Sequence, residues 1–221
     1  MSGDLLGDKK LVNAACLDLF LQELVPTSIR VSQNLNDSAT SSQSSTSKEE
    51  SVEPTLIDLQ LSTIKGDLPG GVEVFESSLI FSDDVTVRIE TYGFNLGMRL
   101  AELLMFHGAQ SNTYNKFVDV LEILKFVCRD VWWSLYGKEM DNLRTNHRGT
   151  FVLVDSNYKL ISRINSAKGF SDTLTKSKIY LWFPCGVIRG IVLSFGIDCD
   201  VSAEITKFPA VTFNIKTTIN N

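Results

Sequence analysis

Histidine is nearly absent from this chain: 221 residues contain only His107 and His147. Neither belongs to an HExxH pair. The four cysteines, Cys16, Cys128, Cys185 and Cys199, stand singly, without a CxxC. No Cys/His spacing suits zinc, and no metal site is expected. Gly137-Lys138 lacks the upstream glycine and following Ser or Thr of a phosphate loop, and the glycines between Gly66 and Gly71 are not set between a strand and a helix, so nucleotide binding has no support. Cys128 or Cys185 with His147 as base is the one nucleophile pairing available, and nothing in either neighbourhood signals a depressed thiol pKa. Catalytic residues and cofactors are expected to be none. Basic charge is also in deficit. With 21 Lys and Arg against 26 Asp and Glu the net charge is −5, which excludes a strong electrostatic footprint for nucleic acid. The start, MSGDLLGDKK, lacks a basic stretch leading into an apolar run, so no secretory signal is read. Unpaired cysteines in apolar settings imply a reducing compartment, and the Asn36-Asp37-Ser38 sequon carries no weight.

Long uninterrupted hydrophobic runs are lacking too, with one near exception. Ile179 to Ile197 carries a single charge, Arg189, but Pro184, Gly186, Gly190 and Gly196 interrupt it. A membrane span needs about 20 apolar residues, and a central Arg costs roughly 2.5–3.5 kcal/mol on insertion scales. A buried helix is therefore expected, with Gly186 and Gly190 permitting close approach of another backbone and Arg189 needing a carboxylate or carbonyl partner if buried; a structural role is expected for it.

What is present is a set of apolar helices and a sheet. From Phe117 to Tyr136 two apolar stripes lie side by side, Phe117, Leu121, Leu124, Cys128, Val131 and Leu135 beside Val120, Ile123, Val127 and Trp132, with Trp133 and Tyr136 widening them. A helix this apolar is covered on more than one face, and Gly137 caps its end. Whether its own domain or a partner supplies the cover stays open. A first helix is predicted from about Leu11 to Leu24, with Leu19 and Phe20 on its apolar side and Pro26 marking its end. The next segment, Ser32 to Glu53, is rich in Ser, Thr, Asn and Gln. It is read as a disordered insertion, because little apolar surface is available to offset the entropy of ordering; Ser47-Lys48-Glu49-Glu50 within it matches an acidic-directed phosphorylation site of the kind that arises by chance. Gly66, Pro69, Gly70 and Gly71 then mark turns.

A second helix is predicted from a Ser82 or Asp83 cap to about Phe106, before Gly108. Gly93 and Gly97 lie one turn apart and leave a flat strip, flanked by Leu96, Leu100, Leu103 and Leu104. That strip packs either inside the domain or against a second subunit. Ile197 to Thr206 and Val211 to Lys216 alternate with a period of two around Lys207-Phe208-Pro209, an antiparallel hairpin. Two more strands are predicted at Met140 to Asn146 and Thr150 to Val154. The fold class is thus α+β, a single domain over 1–221 with helices packed on one face of a four-stranded antiparallel sheet.

Several words of this chain resemble the small core subunits of the transport protein particle (TRAPP) complex, in the branch called subunit six. They are Leu124-Lys125-Phe126 with Cys128 and Asp130, then Leu143-Arg144-Thr145-Asn146-His147, then Gly149-Thr150-Phe151-Val152-Leu153, and Cys185-Gly186-Val187-Ile188-Arg189-Gly190. Gly97, Arg99, Leu100 and Glu102 match a further pattern of the family's second helix. The resemblance implies a twisted antiparallel sheet with helices on one side, and heterodimers formed through the first two helices. It places Leu19, Phe20, Gly93, Gly97, Leu100 and Leu104 at the partner interface, and Arg144, Asn146, His147, Gly186, Arg189 and Gly190 in structural motifs. It implies pairing with the lipid-acceptor TRAPP subunit, contact with other TRAPP subunits, and a scaffolding part in a vesicle-tethering complex that promotes nucleotide exchange on Rab GTPases at Golgi and ER-to-Golgi membranes, with peripheral membrane association through the complex. The acceptor subunit's cysteine has no counterpart in Asn112-Thr113-Tyr114-Asn115-Lys116-Phe117, so lipidation is not implied. The alternative is a self-contained lipid or small-molecule binding domain whose apolar helices line a pocket.

Overall fold

The computed structural model describes residues 13–43, 83–110, 117, 119–146 and 148–218. The Ser47 motif, the turns at Gly66 to Gly71, the Ser82 cap, His147 and the stretch 112–116 lie outside the described residues, as do residues 44–53 of the predicted insertion.

Four strands form one antiparallel sheet in the order β1-β2-β4-β3: β1 Asn142–Thr145, β2 Thr150–Asp155, β3 Cys199–Lys207 and β4 Ala210–Thr217. Period-two alternation sets the register. Phe151 and Leu153 on β2 stand opposite Ile215 and Phe213 on β4, and all four are buried. The hairpin is β3–β4, turning at Phe208-Pro209. The four predicted strands are thus present, and the α+β class holds.

Two predicted helix boundaries are corrected. Helix α1 runs Ala14–Gln43 with Pro26 inside it, so it neither ends at Leu24 nor gives way to disorder at Ser32. An interior proline costs roughly 3 kcal/mol. Continuing the helix buries Ile29, a gain of about 1.5–3 kcal/mol, and buries Ser28, whose hydroxyl donates to the Leu24 carbonyl at 2.7 Å. Helix α2, Asp83–Gln110, runs past Phe106 and through Gly108.

The predicted helix at 117–136 is three pieces in series: α3 Val120–Phe126, one π-helical turn at Val127–Val131, and α4 Trp132–Tyr136. The wider turn re-phases the chain so that consecutive Val131 and Trp132 are both fully buried, while Trp133, expected to widen the apolar stripe, is exposed. Gly137 closes α4 at φ 71°, its N–H donating to the Trp133 carbonyl at 2.9 Å, the left-handed cap that favours glycine.

Trp132 is anchored across the core. Its Nε1–H donates to the Asp155 carboxylate at 2.8 Å, and the Asn157 N–H donates to the same carboxylate at 2.9 Å. Lys138 supplies the countercharge to this fully buried acid. Beside it the Tyr136 and Tyr158 hydroxyls lie 3.2 Å apart, both pushed to higher pKa, chiefly by burial.

The apolar segment after residue 178 is a helix, as expected. A 3-10 turn at Ile179–Leu181 leads into α6, Trp182–Ser194, of which most residues are buried. Before it lies an unpredicted helix α5, Phe170–Lys178. No helix among the described residues is long and apolar enough to cross a membrane.

Candidate interaction face

The two glycine pairs meet each other. Gly93 and Gly97 on α2 face the backbone of α6 at Phe183 and Val187, and Gly186 and Gly190 on α6 face α2 at Glu90 and Phe94. A β-carbon at any of the four would stand less than 3.0 Å from a carbonyl oxygen of the opposite helix. Contacts advance in the same direction along both helices, and the backbones interlock. Gly93 and Gly97 therefore serve a crossing within the chain, which corrects their placement at a partner interface. Leu100 is buried, which removes it from the partner-facing set, and Leu104 is half-buried against the core.

Arg189 pins the same crossing. Its guanidinium lies 3.1 Å from the Glu90 carboxylate and 5.0 Å from the centroid of the Phe94 ring. It is half-exposed, at 40% of its side chain, rather than buried. Asn146 closes the β1–β2 turn, its Oδ1 accepting the backbone N–H of Arg148 at 2.9 Å and of Thr150 at 3.0 Å. Arg144 is exposed on the edge strand β1, opposite Val152.

Apolar surface is exposed elsewhere on α1 and α2. Along α2 the residues Val85, Ile89, Tyr92, Leu96, Arg99, Leu103 and Phe106 step by four and three, the spacing of a helical seam. The first two are buried in the core, whereas Tyr92, Leu96, Leu103 (52% exposed) and Phe106 (59% exposed) face outward. The seam thus begins inside the chain and continues uncovered by the described residues. On α1, Leu17, Phe20 (66% exposed) and Leu35 are exposed, with half-buried Leu24 and Val31 between them at helical spacing. Leu19 is exposed as well, but one-residue spacing puts it on another side of α1 from Phe20. Of the six predicted interface residues Leu19 and Phe20 are exposed, Leu104 is half-buried, and Gly93, Gly97 and Leu100 are buried. Tyr92 and Phe106 were missed, and Leu103 was read only as a flank of the glycine strip, although the four-three spacing from Val85 onward was available to find them.

A groove of about 790 Å³ runs between α5, α6 and the edge strand β3, lined by Leu174, Trp182, Cys185, Val201 and Ile205, with Lys178 and Glu204 among its polar groups. The thiols do not suit nucleophilic chemistry. Burial pushes Cys128, Cys185 and Cys199 up to about 12, far above the range of an active thiolate. Iodoacetamide at neutral pH is accordingly expected to modify only exposed Cys16 in the native protein and all four cysteines after denaturation, as counted by intact mass. Early labelling of Cys185 would contradict the buried-thiol account. Among the described residues no group of three His, Cys, Asp or Glu side chains is arranged to hold a metal ion.

Comparison with known proteins bears on the same elements. The family described as Transport protein particle (TRAPP) component matches residues 17–218, from α1 to the end of β4. The chain belongs to the TRAPP component family. Within it the subunit-six branch is the one matched: cattle and human trafficking protein particle complex subunit 6B are each 37% identical over 58% of this chain and 75% of theirs. Cattle subunit 6A is 35% identical over 58% of this chain and 74% of its own length. A solved structure of subunit 3 from Naegleria fowleri, covalently bound to palmitic acid, is 14% identical over 62% of this chain and 81% of that one, with a TM-score of 0.47.

Proposed function

We propose that this TRAPP family member is a non-catalytic core subunit that pairs one-to-one with the family's lipid-acceptor subunit, through the uncovered apolar seams of α1 and α2. In the assembled complex it serves as a scaffold beside other TRAPP subunits, in a tether that promotes nucleotide exchange on Rab GTPases, and it reaches Golgi and ER-to-Golgi membranes peripherally as part of that complex. The observation that carries this reading is the α2 seam, buried at Val85 and Ile89 and bare from Tyr92 to Phe106. Exposed apolar surface arranged in this way marks an association site, and a seam of four-three spacing is completed by a second helix.

Co-expression with the lipid-acceptor subunit tests it. A tag on that partner is expected to recover the chain in equal amount, and Leu103→Asp with Phe20→Asp is expected to abolish recovery while leaving the melting temperature of the chain alone within about 2 °C, as exposed substitutions do. Undiminished recovery of the double variant would sink the proposed face.

The groove between α5, α6 and β3 favours a second reading, a lipid or small-molecule binding domain. That reading predicts a monomer whose melting temperature rises with ligand and falls back when Trp182, which lines the groove, is replaced by serine.

A further inference from the structure

The α2 seam holds one charge. Arg99 occupies the seam position between Leu96 and Leu103, is exposed, and makes no hydrogen bond or ion pair among the described residues. Its seam neighbours Leu96 and Leu103 are apolar, and Glu102, one turn further along and also exposed, makes no ion pair with it among the described residues, so the surface that covers Leu96 and Leu103 must also meet a guanidinium. Water that now solvates Arg99 is displaced when that surface docks, and an unpaired desolvated charge would cost several kcal/mol.

We infer that the partner surface covering α2 is an amphipathic helix carrying an aspartate or glutamate at the level of Arg99, and that this pair fixes the register of the two helices. The inference rests on the docking reading above and goes beyond it by naming the chemistry the partner must present. Two features argue for a carboxylate side chain over other acceptors. The four-three spacing of Tyr92, Leu96, Arg99, Leu103 and Phe106 fits a helix, whose backbone carbonyls are already used within it. The planar guanidinium fork matches a carboxylate with two parallel bonds. A single polar pair in an otherwise apolar seam is also the known means by which helical seams specify register. Without it, sliding by one heptad would set Leu103 in the place of Leu96 and leave the apolar contact largely unchanged.

The test is a binding titration of the purified chain against the lipid-acceptor subunit, in four forms: parent, Leu103→Asp, Arg99→Met and Arg99→Glu. Since both positions are exposed, all four should melt alike when free. Expected is loss of binding for Leu103→Asp, weakening by about 30-fold or more for Arg99→Met, and further weakening for Arg99→Glu. Binding of Arg99→Glu should then be restored by one Asp→Lys or Glu→Lys change on the partner, with the other such changes giving no rescue. If Leu103→Asp binds like the parent, the docking face itself is wrong and the inference falls with it. If Leu103→Asp fails to bind while Arg99→Met and Arg99→Glu bind like the parent, the face stands and the carboxylate partner is refuted, Arg99 then extending its head to water at the edge of the seam. Failure of every acidic-to-lysine change to rescue Arg99→Glu refutes it too.

Discussion

Gly190→Leu is expected to leave no folded protein at physiological temperature. At this position even a β-carbon would stand less than 3.0 Å from the carbonyl oxygen of Phe94 on α2, and the obstacle is helix backbone, which cannot swing aside as a side chain does. Relief requires α2 and α6 to separate. Separation would open the contact that also holds Gly93, Gly97 and Gly186 and expose Ile89 and Val187, both fully buried. Overpacking usually costs about 1–3 kcal/mol, and occasionally more. Here a whole isobutyl group is inserted where a methyl already collides, so the cost should exceed about 4 kcal/mol, a large part of the ~5–15 kcal/mol that holds a domain together. Gly190→Ala should fall within the ~1–3 kcal/mol range. Far-UV circular dichroism during heating checks both. An alanine variant that melts with the parent would mean that the helices do not approach as closely as described. One consequence concerns interface mapping: a charged residue at Gly97 would abolish a complex by unfolding the subunit, so it cannot report on docking.

Lys138→Met should cost about 3 kcal/mol. The substitution keeps an apolar stem of similar length and removes the cation facing Asp155, whose carboxylate is wholly buried. Stripping one partner from a buried ion pair typically costs ~3–5 kcal/mol. The lower end applies here because Lys138 is 31% exposed and because the Trp132 and Asn157 N–H donors still reach the acid. The complementary change, Asp155→Leu, leaves the buried Trp132 Nε1–H without its acceptor, a penalty of about 1–3 kcal/mol. Urea titration should show lower midpoints with an unchanged slope. A Lys138→Met midpoint equal to the parent's would show that the countercharge contributes nothing to the anchoring of Trp132.

Legibility of the fold in the sequence followed from where apolar periodicity reports burial. The hairpin from Cys199 to Thr217 alternates cleanly because one face is wet. The α6 segment could be told from a membrane span by Pro184, its glycines and Arg189. Three elements were hidden for physical reasons. Helix α1 crosses Pro26 because its far half buries Ser28, Ile29 and Ser32, two of them small and polar. Helix α5 buries Thr173 and Ser177, whose hydroxyls return to carbonyls of their own helix at Gly169 and Thr173, at 3.2 and 2.7 Å, so no apolar stripe advertises it. The π turn shifts phase by one residue and turns Trp133 outward. The interface residues divide in the same way. Gly93 and Gly97 signalled a close approach correctly as geometry, but the approaching backbone is α6 of the same chain, which spacing within one helix does not reveal. The outward seam carried its own four-three signal, but it starts at Val85 and Ile89, which are buried, and shares its helix with the glycine pair, so spacing alone does not separate its inner part from its outer part.

In the proposed function, α1 and α2 present a surface that a different TRAPP subunit covers. Light scattering of the chain alone and of the chain co-purified with the lipid-acceptor subunit tests this most directly. The predicted result is the mass of a one-to-one complex for the pair, with the chain alone reversibly self-associated, and loss of that complex with Leu103→Asp. A chain that is a well-behaved monomer and remains one in the partner's presence would contradict it.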